Sequence, residues 1–505
     1  QPFSVIKLSQ FYGIELDDFA HEVAILSLWL AEHQMNVEFK AEFGESYPSL
    51  PLQKSGCIVC GNATRLDWND ICPASNSDEV YVLGNPPYLG FKMQGKEQKS
   101  DIESVFKGIK NYKKLDYISC WIFIASKYVT GKAGRFAFVS TNSICQGEHV
   151  GLLWPHIFDL NLEIEFAHKS FKWKNSAKDN AGVICVIVGV GDKSSKDKYL
   201  YSEDKRRTVK SINAYLSPDS GSVVMKRSAP ISWLPKMNLG NMPKDDGNFI
   251  LTEAERDQLI SDYPQSEKFI RKLIGAFEFI RGTVRWCIWI TDETLAEAIA
   301  IPPIKERISK VEAFRASSTD KSANKMALTP HKFREQNLAK KNSVIIPTVT
   351  SERRDYIPMG FLDKDTIIVA PNNALYDPPV EVFAIISSRM HMTWVRAVAG
   401  RLKTDYRYSS VLCYNTFPFP EINDVTREGL SNLVFALLAV QQSYAEKTIA
   451  DLYDPVKMPQ DLRLAHTAID TAVEKCYRNN IFSTDEERLE FLFKEYERIT
   501  GGQNA

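Results

Sequence analysis

The sequence has no uninterrupted apolar run approaching the ~18 residues that a membrane-spanning helix needs. Its first residues, Gln1-Pro-Phe-Ser-Val-Ile-Lys7, lack the basic-then-apolar layout of a secretory leader. Cysteine is sparse and odd in number, nine in 505 residues. That argues against a disulfide framework and for reduced thiols, so a cytoplasmic setting is expected. An excess of one charge is missing too. Lys and Arg number 62 against 63 Asp and Glu, a formal net charge of -1, so no global field marks a polyanionic partner. Any nucleic-acid surface must be a local concentration of charge. No repeat of solenoid length is visible. What is present is ordinary globular composition, 44% hydrophobic and 25% charged. At ~150 residues per domain the length suggests about three domains.

Residues 11–16 read as a strand running into a helix from Asp18 to about Gln34. Asp17 and Asp18 supply its acidic first turn, and Val23, Leu26 and Leu30 share one face. Residues 40–78, punctuated by Pro, Gly and Ser, are expected to be mostly loop. Val80-Tyr81-Val82-Leu83 reads as a buried-type strand stopped by Gly84-Asn85-Pro86-Pro87. Helices follow near 116–130 and 147–158, and strands near 135–140, 162–168 and 182–190. This alternation predicts an α/β fold with a mostly parallel sheet, the last two strands forming an antiparallel hairpin at its edge. Residues 1–192 then make one domain and the Lys/Asp/Ser/Gly-rich stretch 193–225 a linker. Residues 226–420 make an α+β region of short strands, and 421–505 a helical region. In the last, Leu430, Leu433, Leu437 and Leu438 recur at helical spacing, as do Leu489, Leu492 and Phe493.

The sharpest chemical signal is Asn85-Pro86-Pro87-Tyr88 at the carboxyl end of a strand, where ligands bind in open α/β sheets. An Asn before two prolines is a rigid platform. The Asn85 side-chain oxygen and the Pro86 carbonyl can both accept from one amino group, and Tyr88 offers a face for a base to stack on. Methylation of an exocyclic amine needs this arrangement: two acceptors hold the NH2 and aim its lone pair at an electrophilic methyl. A proline-terminated strand with a satisfied Asn is the bland alternative, and the strand before and Leu89-Gly90 after weigh against it.

Asn85–Tyr88 resembles the catalytic motif of S-adenosylmethionine-dependent amino-group methyltransferases, chiefly the adenine-N6 DNA enzymes. The wider chain resembles the MmeI-like (type IIL restriction–modification) family. Gln10-Phe-Tyr-Gly-Ile-Glu-Leu-Asp17 and Leu30-Ala-Glu-His-Gln-Met-Asn36 are similar to its segment around the second sheet strand. Ser170-Phe-Lys-Trp173, followed by Ala181, resembles its late target-base loop. Ser351-Glu-Arg-Arg-Asp-Tyr-Ile357, Met390-His-Met-Thr-Trp394, Gly400-Arg-Leu-Lys-Thr-Asp-Tyr-Arg-Tyr-Ser409 and Asn415-Thr-Phe-Pro-Phe-Pro420 resemble its target-recognition domain. Asp451-Leu-Tyr-Asp-Pro455 and Arg463-Leu-Ala-His466 resemble its C-terminal helical segment.

The resemblance implies a class I methyltransferase-like sheet, S-adenosylmethionine as cofactor, double-stranded DNA as partner, and a flipped adenine as substrate. Asn85, Pro86, Pro87, Tyr88 and Phe171 are then the catalytic candidates. Phe171 is the second aromatic wall opposite Tyr88, with Trp173 as the alternative. Glu15 is placed for the ribose hydroxyls, Asn62 for the cofactor adenine with Asp67 as runner-up, and Asn85 borders the cofactor as well as the base. No Gly-rich strand-to-helix turn precedes Glu15, and the upstream nuclease of the family is not in the sequence. The chain is therefore expected to be the C-terminal part of a longer enzyme that lacks part of its cofactor pocket. Protein glutamine methyltransferases share the tetrapeptide and are the alternative enzyme class, and an inactive DNA-binding fragment is the other alternative.

Residues 301–345 hold ten Lys/Arg against four acids, a local excess of six. Such a stretch suits phosphate contacts, with Ser317, Ser318, Thr319 and His331 as extra donors. Arg353 and Arg354 extend it. Arg401, Lys403, Asp405 and Arg407 are candidates for direct base readout, since Arg or Lys donates to guanine and Asp accepts from cytosine. Cys57-Ile-Val-Cys60 has only Cys72 nearby as a third thiol. It reads as a loop with two buried thiols, and no metal is assigned.

Overall fold

Asp17 starts the first long helix. Its carboxylate accepts from the Ala20 amide at 3.1 Å, satisfying a donor that a helix start leaves open, and Gly44 at φ 79° ends the helix in the left-handed conformation. The chain is seen as a computed structural model that describes residues 6–44, 57–173, 183–203, 205–218 and 222–501; Ala181 lies outside the described residues. Helix α1 covers Asp18–Phe43, well past Gln34. It rests on two parallel strands, β1 (Tyr12–Glu15) and β2 (Cys57–Cys60), paired from Tyr12↔Cys57 to Glu15↔Cys60. Cys57–Cys60 is thus a strand and not a loop, because β-branched Ile58 and Val59 suit a pleated, half-buried surface. Its two thiols are exposed, not buried. The apolar face foreseen on α1 is also open, with Val23, Leu26 and Leu30 at 43%, 52% and 54% exposure.

Helix α2 (Trp68–Ile71) leads to a six-stranded sheet. Its elements are β3 (Glu79–Gly84), α3 (Lys96–Val105), α4 (Ser119–Val129), β4 (Ala133–Thr141), α5 (Gly147–Phe158), β5 (Leu162–Lys172), β6 (Ile184–Asp192), β7 (Lys198–Ser202) and β8 (Lys205–Val209), with strand order β3-β4-β6-β5-β7-β8. Strands β3, β4, β5 and β7 run one way and β6 and β8 the other, giving the mostly parallel α/β sheet that the alternation predicts. The β5–β6 pair is antiparallel but not at the edge. Residues 198–209, read as linker, form the β7–β8 hairpin that extends the sheet beyond it. The misleading residue is Lys198, which is buried with its ammonium 2.7 Å from Glu163 and bonded to the Ser194 and Lys196 carbonyls. The edges are instead β8 and β3, and on β3 Tyr81 and Leu83 are 60% and 80% exposed. A short apolar run does not by itself tell a central strand from an edge one. The core of this unit includes Ile118, Phe123, Phe136, Phe138, Leu153, Trp154 and Val188.

A second compact unit begins at Val224. One four-stranded sheet runs in the order Ile250–Leu251, Arg285–Ile288, Ile270–Ile274, Thr366–Ile368. It carries a core of Phe249, Phe269, Leu273, Ile288 and Trp289 with Ile304 and Val311 of the helix Pro302–Ser317. A second four-stranded sheet is built around Asn342–Ile346, and a three-stranded one orders Val349–Thr350, Asp405–Arg407, Gly400–Leu402. Helices Asp424–Gln442, Gln460–Lys475 and Asp485–Thr500 follow, burying Leu430, Leu437, Leu492 and Phe493. Among the described residues no helix is long and apolar enough to cross a membrane.

Candidate active site

Strand β3 stops after Gly84, which pairs with Phe138, because Pro86 and Pro87 have no amide hydrogen to continue the ladder. Asn85 is exposed at this carboxyl end, Pro86 is buried, Pro87 exposed and Tyr88 half-buried. The Tyr88 hydroxyl lies near the Cys185 thiol. Burial, then Cys185, pushes the Tyr88 pKa up; burial raises Cys185 and Tyr88 opposes it. Cys185 pairs across the ladder with Phe171, and a bulge between His168 and Phe171 re-aims the end of β5. Phe171 and Trp173 are both half-buried, their rings 6.3 Å apart. The structure thus brings Asn85, Tyr88 and Phe171 to one end of one sheet.

Leu89, next after Tyr88, is held three ways. Its N–H donates to Asp116 Oδ1 at 2.8 Å, and its carbonyl accepts from Gln94 Nε2 at 2.8 Å and the Tyr117 amide at 3.1 Å. None of these supports was singled out in the sequence. Asp116 opens the predicted helix 116–130, and only its helix-starting position hinted at a capping role.

Glu15 and Asn62 lie together at the carboxyl ends of β1 and β2, where the Gly61 amide donates to the Glu15 carbonyl at 2.8 Å. Asn62 Oδ1 accepts from the Thr64 amide at 2.9 Å and the Thr64 hydroxyl at 2.7 Å, and Nδ2 donates to Asp101 Oδ2 at 3.1 Å. One amide hydrogen of Asn62 remains for a ligand. Buried Asp101 also accepts from Arg65 Nε and the Tyr117 hydroxyl, each at 2.7 Å. Burial pushes its carboxyl up, but these bonds more than reverse that and hold it below the usual carboxylate range. Asp67, the runner-up, caps α2 by accepting from the Asn69 amide at 2.9 Å, a local duty that explains its presence.

In the second unit, Gly400–Leu402 and Asp405–Arg407 form a hairpin in which Leu402 pairs with Asp405. Lys403 occupies the turn at φ 58°, exposed, so it does not share a strand face with Asp405. Arg401 pairs with Tyr406, lies 3.7 Å over its ring and donates to the Thr404 carbonyl at 2.9 Å. Strand alternation puts Asp405 and Arg407 on the opposite face. The four readout candidates therefore split: Arg401 braces the hairpin, while Lys403, Asp405 and Arg407 project elsewhere. Arg353 is exposed. Arg354 is half-buried, its pKa lowered by burial against the charges of Asp405 and Asp454.

The basic stretch 301–345 presents less free charge than its count implies. Arg315 is wholly buried and donates to six backbone carbonyls. Arg307 pairs with Glu255, Lys310 with Glu306, Lys332 with Asp292 and Arg334 with Glu335. His331 is buried against Asp292 at 2.9 Å and is no phosphate donor.

Comparison with known proteins agrees along the whole chain. Residues 1–202 match the family described as MmeI, DNA-methyltransferase domain; residues 218–421 match MmeI, target recognition domain; and residues 422–502 match MmeI, C-terminal domain. A protein of Bacillus subtilis (strain 168) named DNA methyltransferase A is 48% identical over 98% of this chain, which spans 56% of that relative's length. The solved structure of the type IIL restriction-modification enzyme MmeI in complex with DNA superposes with a TM-score of 0.84 at 39% identity, covering 98% of this chain and 67% of that one. The chain belongs to the MmeI family and carries its methyltransferase, target-recognition and C-terminal domains.

Proposed function

We propose that this chain is the modification and recognition portion of a fused restriction–modification enzyme that transfers a methyl group to the N6 amine of an adenine flipped out of duplex DNA. The observation that carries the reading is the exposed Asn85 at the carboxyl end of β3, followed by Tyr88 and with Phe171 one ladder partner beyond the thiol that Tyr88 contacts. Asn85 Oδ1 and the Pro86 carbonyl would accept the two N6 hydrogens, draw the lone pair out of the ring and aim it along one line. Tyr88 and Phe171, or Trp173 in its place, would hold the base by stacking. Positioning supplies most of the acceleration in such a transfer. The ammonium product is acidic, so its proton leaves to water without a dedicated base.

The cofactor that fits is S-adenosylmethionine, whose sulfonium methyl is the electrophile. Glu15, an acid at the end of a parallel strand, suits a ribose diol. Asn62, with one uncommitted amide hydrogen beside it, suits an adenine edge. Asp67, the runner-up, is spent on its helix cap. Duplex DNA would be held by the second unit, with Arg353, Arg354, Lys403, Asp405 and Arg407 as its contacts and Arg401 as the brace. The match of 218–421 to a target-recognition domain favours DNA over a protein glutamine substrate. The test is to incubate full-length protein with methyl-labelled cofactor and duplex DNA, digest the DNA and identify the labelled nucleoside. Label in N6-methyl-2′-deoxyadenosine at one sequence supports the reading; label in deoxycytidine, or in protein alone, refutes it.

A further inference from the structure

The proposed chemistry sits on two short loops: residues 85–88 for the target amine and 61–63 for the cofactor. Both are tied to the same two residues. Asp116 Oδ1 accepts from the Leu89 amide at 2.8 Å and the Ile118 amide at 3.3 Å, and the Tyr117 amide donates to the Leu89 carbonyl at 3.1 Å. The hydroxyl of the same Tyr117 donates to Asp101 Oδ2 at 2.7 Å, the oxygen that also receives Asn62 Nδ2 at 3.1 Å. Asp101, Asp116 and Tyr117 are all buried. Buried polar groups that are fully satisfied rigidify what they touch.

We infer that Asp116 and Tyr117 are positioning residues that set the two loops in register. The Asp116 carboxylate and the Tyr117 backbone fix the amine-acceptor loop through Leu89, and the Tyr117 hydroxyl fixes the cofactor loop through Asp101 and Asn62. The inference rests on the methyltransferase reading above and adds a division of labour to it. Single atoms separate the two arms. Tyr117→Phe deletes the hydroxyl and keeps the backbone bond to Leu89. Asp116→Ala deletes the Leu89 acceptor and keeps the Tyr117 hydroxyl. Asp116→Asn retains one acceptor oxygen and serves as the conservative rescue.

The experiment measures cofactor affinity by calorimetry with S-adenosylmethionine, single-turnover transfer, and fluorescence of 2-aminopurine placed at the mapped target adenine. Tyr117→Phe is expected to weaken cofactor binding roughly tenfold to a hundredfold, the scale of a lost bond to a charged group, with the 2-aminopurine signal unchanged. Asp116→Ala is expected to slow transfer at least tenfold at saturating cofactor and to change the 2-aminopurine signal, with cofactor affinity unchanged. Asp116→Asn should recover most of the rate. If the Phe and Ala variants move affinity and fluorescence together, or Tyr117→Phe leaves affinity intact, the division of labour is overturned. Asn85→Ala run in parallel keeps the two ideas apart. If the parent itself transfers no methyl to adenine, the methyltransferase reading falls; if Asn85→Ala is dead while Tyr117→Phe and Asp116→Ala match the parent, only the positioning inference falls.

Discussion

Cys185, whose thiol lies close enough to the Tyr88 hydroxyl for each to shift the other's pKa, is the ladder partner of Phe171. The Tyr88 ring is half-buried, which leaves part of it open to a stacking base. This places the loop after β3 beside the reversed strand β6, two places away in the sheet order. The exposed Asn85 precedes this ring by three residues, so the acceptor and the wall sit on one short loop.

Asn85→Ala should therefore remove an acceptor from the reacting amine without disturbing the recognition unit. Methyl transfer is expected to fall by more than tenfold, about 1.4 kcal/mol of transition-state stabilisation, while DNA affinity stays near that of the parent. Single-turnover transfer and fluorescence anisotropy measure the two separately. A variant that keeps more than a tenth of the rate removes Asn85 from the chemistry.

Arg315 tests the corrected view of the basic stretch. Its guanidinium donates to the carbonyls of Pro243, Lys244, Met326, Thr329, Pro330 and Lys332 at 2.7–3.3 Å, and no part of the residue is exposed. Arg315→Met strands those carbonyls and should cost on the order of 3 kcal/mol or more, read as a lower denaturation midpoint. Whatever fraction folds should bind DNA with the parent's salt slope. A slope shallower by about one, with stability unchanged, would make Arg315 a phosphate contact after all.

The features legible in the sequence are those that local chemistry decides. Asp17 announces the start of α1, and two prolines announce the end of β3 and with it the place of Asn85. Glu15 closes β1 and Asn62 follows β2, so the two stand at one end of a strand pair. What stayed hidden depends on partners far along the chain. Lys198 reads as linker until Glu163 neutralises it inside the sheet. Arg315 counts as surface charge until six carbonyls enclose it. Asp101 and Tyr117 carry no motif, because their importance lies in a network that joins residues 62, 65, 101 and 117.

Two of the buried histidines of the second unit, His391 and His466, have acid-sensitive consequences. Burial pushes His391 down to about 3, and burial together with the Arg463 charge does the same to His466. A histidine depressed in the folded state contributes stability that is present above its unfolded value near 6.5 and is lost as pH falls toward 3. Asp470 acts oppositely. Burial raises it to about 6, against bonds from Tyr356 and the Arg389 amide, so its stabilising share is present below about 4 and lost as pH rises through 6. From pH 6 to 4 stability falls with pH by the worth of about one proton, two histidines less one acid. His466→Phe should flatten the dependence by that amount, and Asp470→Asn should steepen it by the same. Urea denaturation of parent and variants at several pH values isolates each difference. Parallel curves for parent and His466→Phe would show that His466 is not neutral and buried.

The hairpin 400–407 yields the most specific prediction. Lys403 stands at the turn with φ 58°, while Asp405 begins the returning strand and shares a face with Arg407, away from the Arg401–Tyr406 stack. A donor at the tip and an acceptor one residue beyond the turn can reach the two partners of one base pair, Lys403 the guanine edge and Asp405 the cytosine amine. The exchange must respect the backbone. Asp tolerates the left-handed conformation better than Glu, so the swap is Lys403→Asp with Asp405→Arg. It should reverse the preference at one base pair of the methylated sequence by about 1–3 kcal/mol and leave the other positions alone, as read by sequencing a methylated random library. Because Asp405 also opposes the Arg354 charge, Asp405→Asn serves as the control for lost neutralisation. A swap that lowers methylation at every sequence equally, as a phosphate contact or a broken hairpin would, removes this pair from base readout.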